Sequence, residues 1–269
     1  MKTILVPREP LLSEGGMTVP RFFVTKEQID GDIVRINGDD AFHISRSLRM
    51  AAGEHIVVCD NGGGEYDCVL EGFNPDSVTA RVLSEKTSDT EPPFVARVYQ
   101  GLPKGDKLET VIQKSVECGA RSVTPFESEF CVARSKPESE SKRTERRNRI
   151  AEEAAKQCGR SVLPEVEPTV SFDVMLSKAK EADVVLFCYE GEGTLPLGRA
   201  VTEVERLIRE KGNAEVAIVV GSEGGFSEKE AAKAREAGFT MCGLGKRILR
   251  TETAATFVLC CLVCATELS

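Results

Sequence analysis

A glycine-rich loop between a buried strand and a helix restricts the fold of this chain more than any other feature. The loop lies in "VVGSEGGFSEKE", Val219–Glu230, and holds three glycines in five residues. The apolar run "AEVAIVV" before it predicts a buried strand. Ser227 and Glu230 after it have the capping-box spacing of a helix N-terminus. Ligands of open α/β sheets bind where such strands end, so the loop predicts an α/β domain with a ligand site here.

The same alternation of strand and helix extends over the C-terminal two thirds of the chain. Strands are predicted at "FVARVYQ", "RSVTPF", "DVVLFCY", "AEVAIVV" and "FTMCGL". Helices are predicted at "DKLETVIQKSVECG", about residues 140–158, "RAVTEVERLIREKG", "SEKEAAKAREAG" and the C-terminal segment that ends near residue 267. This alternation is typical of a parallel sheet with helices on both faces, and we assign it to residues 94–269.

The N-terminal third has a different pattern, with short strands and one helical stretch. Strands are predicted at "DIVRI", "EHIVVC", "EYDCVLEGF" and "SVTARVL", with a hairpin turn at "NGGGEY". The stretch "DDAFHISRSLRM" predicts a helix capped by Asp39 or Asp40. We expect an extension over residues 1–16, with Met17 as an alternative start, a small β-barrel module over 17–84 and a polar linker over 85–93.

Composition indicates a soluble globular protein and limits its partners. Hydrophobic residues make up 41% and charged residues 29% of 269, with a net charge of −8. This balance argues against a protein that coats nucleic acid through overall charge. Arg134 to Arg160 is nevertheless locally basic, with nine Lys/Arg against five Asp/Glu. The segment is either a solvated helix face or a phosphate-contacting surface.

The cysteines and the absence of a targeting pattern predict a cytoplasmic protein. The N-terminus lacks the pattern of a signal peptide, and ten cysteines sit mostly in apolar surroundings typical of a reducing compartment. The run "AATFVLCCLVCA" is too short to span a bilayer and predicts a buried helix. Cys261 and Cys264 form a lone CxxC inside it, which favours core packing over metal binding. With only two histidines, no metal site is expected.

The glycine loop does not match the common nucleotide-binding patterns. Gly221, Gly224 and Gly225 have neither the dinucleotide spacing nor the phosphate-loop spacing. A tight turn with glycines at positive φ is the structural alternative, but it explains three glycines poorly. A second loop, "LGKRILRTETA", places apolar Ile248 and Leu249 where the chain should be exposed. Two such loops side by side would form a slot for a flat group such as adenine.

Five separated segments resemble one known family. "RFFV", "HISRSLRMAAG", "GLPKGDKLETVIQKSVECGA", "AEEAAKQCGRSVLPEV" and the final pair of glycine loops occur in the order typical of the RsmE family, the 16S rRNA uridine-N3 methyltransferases of the SPOUT superfamily. The resemblance implies a PUA-like RNA-binding barrel followed by an α/β domain with a deep trefoil knot. It also implies a homodimer and S-adenosylmethionine as the cofactor.

The resemblance also transfers site residues to this chain. Three loops would hold the cofactor, with the residues Tyr189, Glu190, Val220, Gly221, Ser222, Glu223, Gly224, Gly225, Leu244, Gly245, Ile248, Leu249 and Arg250. Two positions depart from the family pattern, with Ser222 in place of a usual proline and Phe130 in place of a usual arginine.

Methylation at N3 of uridine requires loss of an imide proton and in-line attack on the methyl group. Arg250 is the candidate for stabilising the uracil anion, with an ion pair to Glu223 or Glu252 as its alternative role. Glu223 or Glu252 would act as the base if burial raised its pKa, and water is the alternative. RNA contacts are predicted at Arg21, His43, Arg46 and Arg49, and the family motifs imply two more at Lys104 and Arg160. For each of them a surface charge without a partner is the alternative.

Three other functions remain open from the sequence. A related knotted enzyme could methylate a ribose 2′-hydroxyl. A non-catalytic RNA-binding protein with a decayed cofactor site is a second alternative, against which the intact glycine loops argue. A nicotinamide oxidoreductase is a third, and the glycine spacing disfavours it.

Overall fold

The computed structural model describes residues 19–268, which form two compact units. The first unit comprises the described residues up to Thr90 together with Gly159–Val162, and the second comprises Glu91–Cys158 and the chain from Leu163. The predicted extension over residues 1–16 and the alternative start at Met17 lie outside the described residues. The return of Gly159–Val162 to the first unit has no counterpart in the sequence prediction, since no local pattern marks it.

The first unit is a six-stranded sheet around a small apolar core. Its elements are β1 (Arg21–Phe23), β2 (Ile29–Asp30), β3 (Ile33–Asn37), α1 (Gly38–Phe42), β4 (His55–Cys59), β5 (Gly64–Asn74) and β6 (Ser77–Thr87). The strand order is β1-β4-β5-β6-β3-β2, and only β1 and β4 pair in parallel. Alternate residues such as Val34, Ile36, Val78 and Ala80 point to the core and are fully buried.

Two local predictions in this unit are wrong. Helix α1 begins after Asn37 rather than after Asp39 or Asp40, and it continues as a π-helical turn over His43–Ser47. The polar residues from Glu85 to Thr87 extend β6 instead of opening the linker. Their charges pair across the hairpin, since Lys86 Nζ lies 2.7 Å from a carboxylate oxygen of Glu65. Polarity there reflects an exposed strand face and not a loop.

The second unit contains a parallel sheet of eight strands. Its elements are β7 (Val95–Gly101), α2 (Lys107–Glu117), β8 (Ala120–Glu127), α3 (Pro137–Cys158), β9 (Glu165–Val166), β10 (Val170–Ser171), α4 (Phe172–Ala179), β11 (Val184–Cys188), β12 (Leu195–Pro196), α5 (Leu197–Lys211), β13 (Glu215–Val220), α6 (Glu228–Glu236), β14 (Thr240–Gly243) and α7 (Thr251–Thr266). The order is β10-β8-β7-β13-β11-β14-β12, with β9 beside β8, and every pair among these strands is parallel. The predicted α/β class is confirmed, whereas the trefoil knot stays a prediction.

An aromatic cluster supports the sheet beneath the glycine loop. Phe226, the residue after Gly225, packs with its ring centroid 4.2 Å from that of Phe187 on β11 and 6.2 Å from that of Phe126 on β8. Phe172 of α4 packs against Phe126, with ring centroids 6.1 Å apart, and against Phe226, with ring centroids 6.2 Å apart. Burying these rings fixes the exit of β13, from which the loop starts.

The last helix is apolar but only partly covered. Ala255, Val258, Leu259 and Leu262 are fully buried on one face of α7. Cys260 and Cys264 on the other face are exposed, so the prediction of a buried helix with core cysteines is wrong for that face. Among residues 19–268 no helix is long and apolar enough to cross a membrane, and no cluster of metal-ligating side chains occurs in that range.

Candidate active site

The carboxyl ends of three neighbouring strands bring the predicted loops to one edge of the sheet. Strand β11 lies between β13 and β14, and all three run in the same direction. The segments that follow them are Tyr189–Glu190, Gly221–Gly225 and Leu244–Arg250. Strand β7 pairs with β13 and ends at Gly101, so the segment "LPKGDK" leaves from the same edge. Four connecting segments therefore lie at the carboxyl edge of the sheet, which is where α/β domains bind ligands.

The three glycines of the loop meet two different steric requirements. Gly225 has φ +67° and closes a turn in which its N–H donates to the carbonyl of Ser222 at 2.9 Å. Gly221 and Gly224 do not have the left-handed backbone conformation, but neighbouring atoms leave no room for a side chain at either position. A Cβ on Gly224 would lie 2.7 Å from Cβ of Phe130, and one on Gly221 would lie 3.0 Å from Cα of Gly225. The tight-turn alternative thus accounts for Gly225 alone, and close packing accounts for the other two.

A buried network ties the glycine loop to the start of the last helix. The Thr251 hydroxyl donates to the Gly221 carbonyl at 2.6 Å and accepts from Gln100 Nε2 at 2.8 Å. Gln100 Nε2 also lies 3.0 Å from the carbonyl oxygen of Gly101 and 3.3 Å from that of Gly221. Gln100 is fully buried and Thr251 is 6% exposed. The ends of β7, β13 and the second glycine-containing loop are therefore held together by hydrogen bonds.

Several polar atoms at this edge have no hydrogen-bond partner within the described residues. They are Gln100 Oε1, Ser222 Oγ and Glu252 Oε2. Buried polar atoms are normally satisfied, and an orphan indicates strain or a missing water or ligand. On the adjoining loop Ile248 is 83% exposed, an unusual position for a large apolar side chain. Orphaned polar atoms beside an uncovered apolar side chain fit a ligand with both polar and apolar parts.

Glu223 is held by a lysine that the sequence analysis did not identify. Lys107 Nζ at the start of α2 lies 2.8 Å from Glu223 Oε1, and the backbone N–H of Lys104 donates to the same oxygen at 3.2 Å. Burial alone raises the pKa of Glu223, but these hydrogen bonds outweigh it and the net pKa lies below the usual value. The condition for Glu223 as a base, a pKa raised by burial, is therefore not met.

Arg250 and Glu252 lie together at the start of α7. Arg250 NH1 and Glu252 Oε1 are 3.9 Å apart, and Glu252 Oε2 is 3.9 Å from Lys107 Nζ. The Arg250 side chain is 83% exposed, whereas that of Glu252 is 20% exposed. The ion pair predicted as the alternative role of Arg250 is thus formed with Glu252, in a long and loose form that leaves the guanidinium free to contact a substrate.

Four of the predicted RNA contacts are accessible. His43, Arg46, Arg49 and Lys104 are exposed. The first three lie on the π-helical turn of the first unit or just beyond it, where Phe42 is 65% exposed. No ion pair engages Arg46 or Arg49 within the part of the chain that the structure describes. Basic side chains beside an exposed aromatic ring are typical of surfaces that bind single-stranded RNA.

The other two predicted contacts, Arg21 and Arg160, are held inside the protein. Arg21 NH1 lies 2.9 Å from a carboxylate oxygen of Glu65 and 2.8 Å from Cys59 Sγ. Arg160 is 4% exposed within the segment that belongs to the first unit. A guanidinium in a buried ion pair orients its neighbours and does not reach a ligand. The structure therefore favours a structural role for Arg21, and the burial of Arg160 argues against an exposed RNA contact there; sequence reading could not show either because it does not show burial.

This geometry defines a ligand-binding α/β domain preceded by a small β unit, and comparison with known proteins gives the class. The model of the RNA methyltransferase domain family matches residues 90–263, and that of the RNA methyltransferase PUA domain matches 36–83. The chain belongs to the RNA methyltransferase family. The predicted resemblance is thereby confirmed, including the PUA-like identity of the N-terminal domain.

Relatives match over nearly their whole length. Ribosomal RNA small subunit methyltransferase E of Bacillus subtilis is 35% identical over 251 residues, covering 92% of this chain and 97% of that protein. The structure of the Neisseria gonorrhoeae enzyme of that name, bound to S-adenosyl methionine, is 30% identical with a TM-score of 0.76, covering 91% and 97% of the two chains. The structure of a Legionella pneumophila methyltransferase in complex with the same cofactor is 27% identical in sequence, with a TM-score of 0.77. The match covers 93% of this chain and 98% of that one.

Proposed function

We propose that the protein transfers a methyl group from S-adenosylmethionine to N3 of a uridine in 16S rRNA of the small ribosomal subunit. The observation that carries the proposal is the tie between Gly221 and Thr251, which joins two glycine-containing loops at the carboxyl edge of a parallel sheet. Membership in the RNA methyltransferase family supports it. Relatives named as small-subunit rRNA methyltransferases support the substrate class.

The loops fit this cofactor chemically. Tyr189–Glu190, Gly221–Gly225 and Leu244–Arg250 would hold it, with backbone N–H and C=O groups exposed by the glycines. Ile248 would lose solvent exposure against an adenine ring, and the orphaned Ser222 hydroxyl would find a polar partner. When bound, the cofactor supplies an electrophilic methyl group on a sulfonium.

Residues of this chain supply the remaining chemistry. The exposed Arg250 guanidinium stabilises negative charge on O2 or O4 of the uracil ring. Glu252 is the better candidate for the proton acceptor, because its side chain is 20% exposed and its Oε2 accepts no hydrogen bond within the described residues. Glu223, fixed as a carboxylate by Lys107, positions the "LPKGDK" segment instead. No histidine lies in these segments.

The assembly we propose is a homodimer formed by the second unit, acting in the cytoplasm on ribosomal particles. The apolar but uncovered face of α7, with exposed Cys260 and Cys264, supports it, since exposed apolar patches commonly mark association surfaces. Light scattering coupled to size-exclusion chromatography measures the mass directly. A mass near the 29.3 kDa of one chain would exclude the dimer.

One assay tests the activity. Small subunits from a strain that lacks the endogenous modification are incubated with the protein and S-adenosylmethionine, and the digested RNA is analysed by mass spectrometry. Methylation at N3 of uridine is expected. A methyl group on a ribose 2′-hydroxyl would instead indicate the related knotted enzyme. Absence of transfer together with absence of cofactor binding by calorimetry would leave a non-catalytic RNA-binding protein.

A further inference from the structure

A cavity of about 390 Å³ lies in the second unit, outside the three cofactor loops. Four arginines line it: Arg134, Arg143, Arg146 and Arg147. We refer to it as the arginine cavity. Its volume falls within the range of about 300–1,000 Å³ typical of ligand pockets. Two carboxylates, Asp106 and Glu109, also line it, so guanidinium groups outnumber carboxylates among the lining side chains.

Three of the arginines have carboxylate partners. Arg146 NH2 lies 2.8 Å from Glu109 Oε1, and Arg134 NH1 lies 3.6 Å from Glu127 Oε2. Arg147, which is 8% exposed, bonds Glu140 at 3.1 Å. These pairs hold the wall of the cavity in place and neutralise most of its charge.

Arg143 differs from the other three. No carboxylate contacts it in the part of the chain that the structure describes, and it lies close enough to Arg147 for the two charges to repel. Burial is the largest cause of the lowered pKa of Arg147, and the repulsion from Arg143 lowers that pKa further. Arg147 has Glu140 as its counter-charge, whereas Arg143 has none, so an anion beside Arg143 would offset the repulsion between the two guanidinium groups. The cavity thus carries an unneutralised guanidinium of the kind that binds phosphate oxygens in a bidentate manner.

The arginine cavity shares a wall with the candidate active site. Leu102, Pro103 and Gly105 line the cavity, and they belong to the segment whose Lys104 N–H bonds Glu223 of the glycine loop. The N-terminus of α2 begins on the same segment. A phosphate in the cavity would therefore lie against the same segment that contacts the glycine loop.

We propose that the arginine cavity binds a backbone phosphate of the RNA substrate, with Arg143 as the principal contact. The proposal rests on the proposed rRNA substrate and adds to it a second anchoring point beside the methyl-transfer site. The contact fixes the register of the RNA strand, since phosphate contacts position a nucleic acid without reading its sequence.

The test compares two substitutions on the same helix. Arg143→Gln removes the proposed contact. Arg149→Gln removes another exposed arginine of α3, one that does not line the cavity. Binding of an in vitro transcript of 16S rRNA is measured at several salt concentrations, and methyl transfer to small subunits gives kcat and KM. Arg143→Gln should weaken binding about three- to tenfold at moderate salt and make the slope of log K against log salt shallower by about 0.7.

A positioning contact predicts a higher KM with kcat unchanged, and unchanged affinity for S-adenosylmethionine. Arg143→Glu should enlarge the effect, while an unchanged melting temperature excludes misfolding as its cause. If Arg143→Gln matches Arg149→Gln while the unaltered protein methylates RNA, the arginine cavity is not a phosphate site and the proposed function stands. If the unaltered protein binds no transcript and transfers no methyl group, both proposals are overturned.

Discussion

The hydroxyl of Thr251 donates to the carbonyl of Gly221 at 2.6 Å, although the two residues are 30 positions apart in the chain. This hydrogen bond joins the start of the last helix to the glycine loop. Gln100, from a third strand, donates to the same hydroxyl. Because all three groups are buried, the geometry of the loop edge depends on this network being complete.

Thr251→Val should loosen that edge. The substitution keeps the shape of the side chain but leaves Gln100 Nε2 without its shortest contact, at an expected cost of about 1–3 kcal/mol in the free energy of unfolding. Urea denaturation measures this cost, and calorimetry should show affinity for S-adenosylmethionine reduced by about tenfold. Thr266→Val is the control, since it removes a hydroxyl bonded within the last turn of the same helix. Equal effects of the two substitutions would contradict the network.

Gly224→Ala should distort the glycine loop by overpacking. The new Cβ would lie 2.7 Å from Cβ of Phe130 and 3.1 Å from its carbonyl oxygen, and a Cβ and a backbone atom cannot move aside like a flexible side-chain tip. We expect a stability loss of about 1–3 kcal/mol and cofactor affinity reduced by more than about tenfold. Gly198→Ala in α5 has open space around its Cβ and should stabilise the helix by up to about 1 kcal/mol. If Gly224→Ala binds the cofactor with unchanged affinity, contact with Phe130 is not what requires glycine at this position.

The sequence predicted those parts of the fold and site that local pattern specifies. The capping box of Ser227 and Glu230 is present, with the Glu230 N–H donating to the Ser227 hydroxyl. The strands that precede the three loops also occur where hydrophobic runs place them. Periodicity and capping depend only on neighbours within one turn, so a single sequence contains this information.

The missed features depend on contacts distant in sequence. Lys107 and Gln100 meet residues of the glycine loop that lie 116 and 121 positions away. The burial of Arg21 depends on its ion pair with Glu65 across the first unit. In α7 the run of apolar residues indicates burial on all sides, and only the packed structure shows which face is left uncovered. None of these facts has a local signal.

Lys107→Met should raise the pKa of Glu223. Lys107 supplies the strongest interaction that favours the charged carboxylate, and without it the effect of burial, which favours the neutral acid, is opposed only by backbone N–H groups. An NMR titration of the Glu223 carboxyl carbon measures the shift. Lys114→Met, which removes a lysine paired with Glu117 farther along α2, should leave that pKa where it is. An unchanged Glu223 titration in Lys107→Met would show that Lys107 does not hold the carboxylate.

The basic turn of the first unit should contribute to RNA affinity. Replacing Arg46 and Arg49 by alanine is expected to weaken binding of a 16S rRNA transcript and make the salt slope shallower by about 1.4, for two lost phosphate contacts on single-stranded RNA. Cofactor affinity should not change. A control that replaces Arg35 and Arg81 by alanine removes the same charge elsewhere on this unit. Equal salt slopes for the two double variants would mean that net charge, and not the turn, determines binding.

Glu140 should make the second unit acid-sensitive. Burial raises the pKa of this carboxyl, but hydrogen bonds from Ser135 and Thr169 and the charge of Arg147 outweigh it and bring the pKa to about 2, from a usual value of 4.5. Because the folded pKa is the lower one, the stabilisation is complete above about pH 4.5 and is lost as the pH falls toward 2. A shift of this size corresponds to about 3 kcal/mol. Denaturation of the unaltered protein and of Glu140→Gln between pH 6 and 2.5 should therefore show a stability gap that closes with acid. A gap that stays constant over that range would mean that the charge of Glu140 does not stabilise the fold.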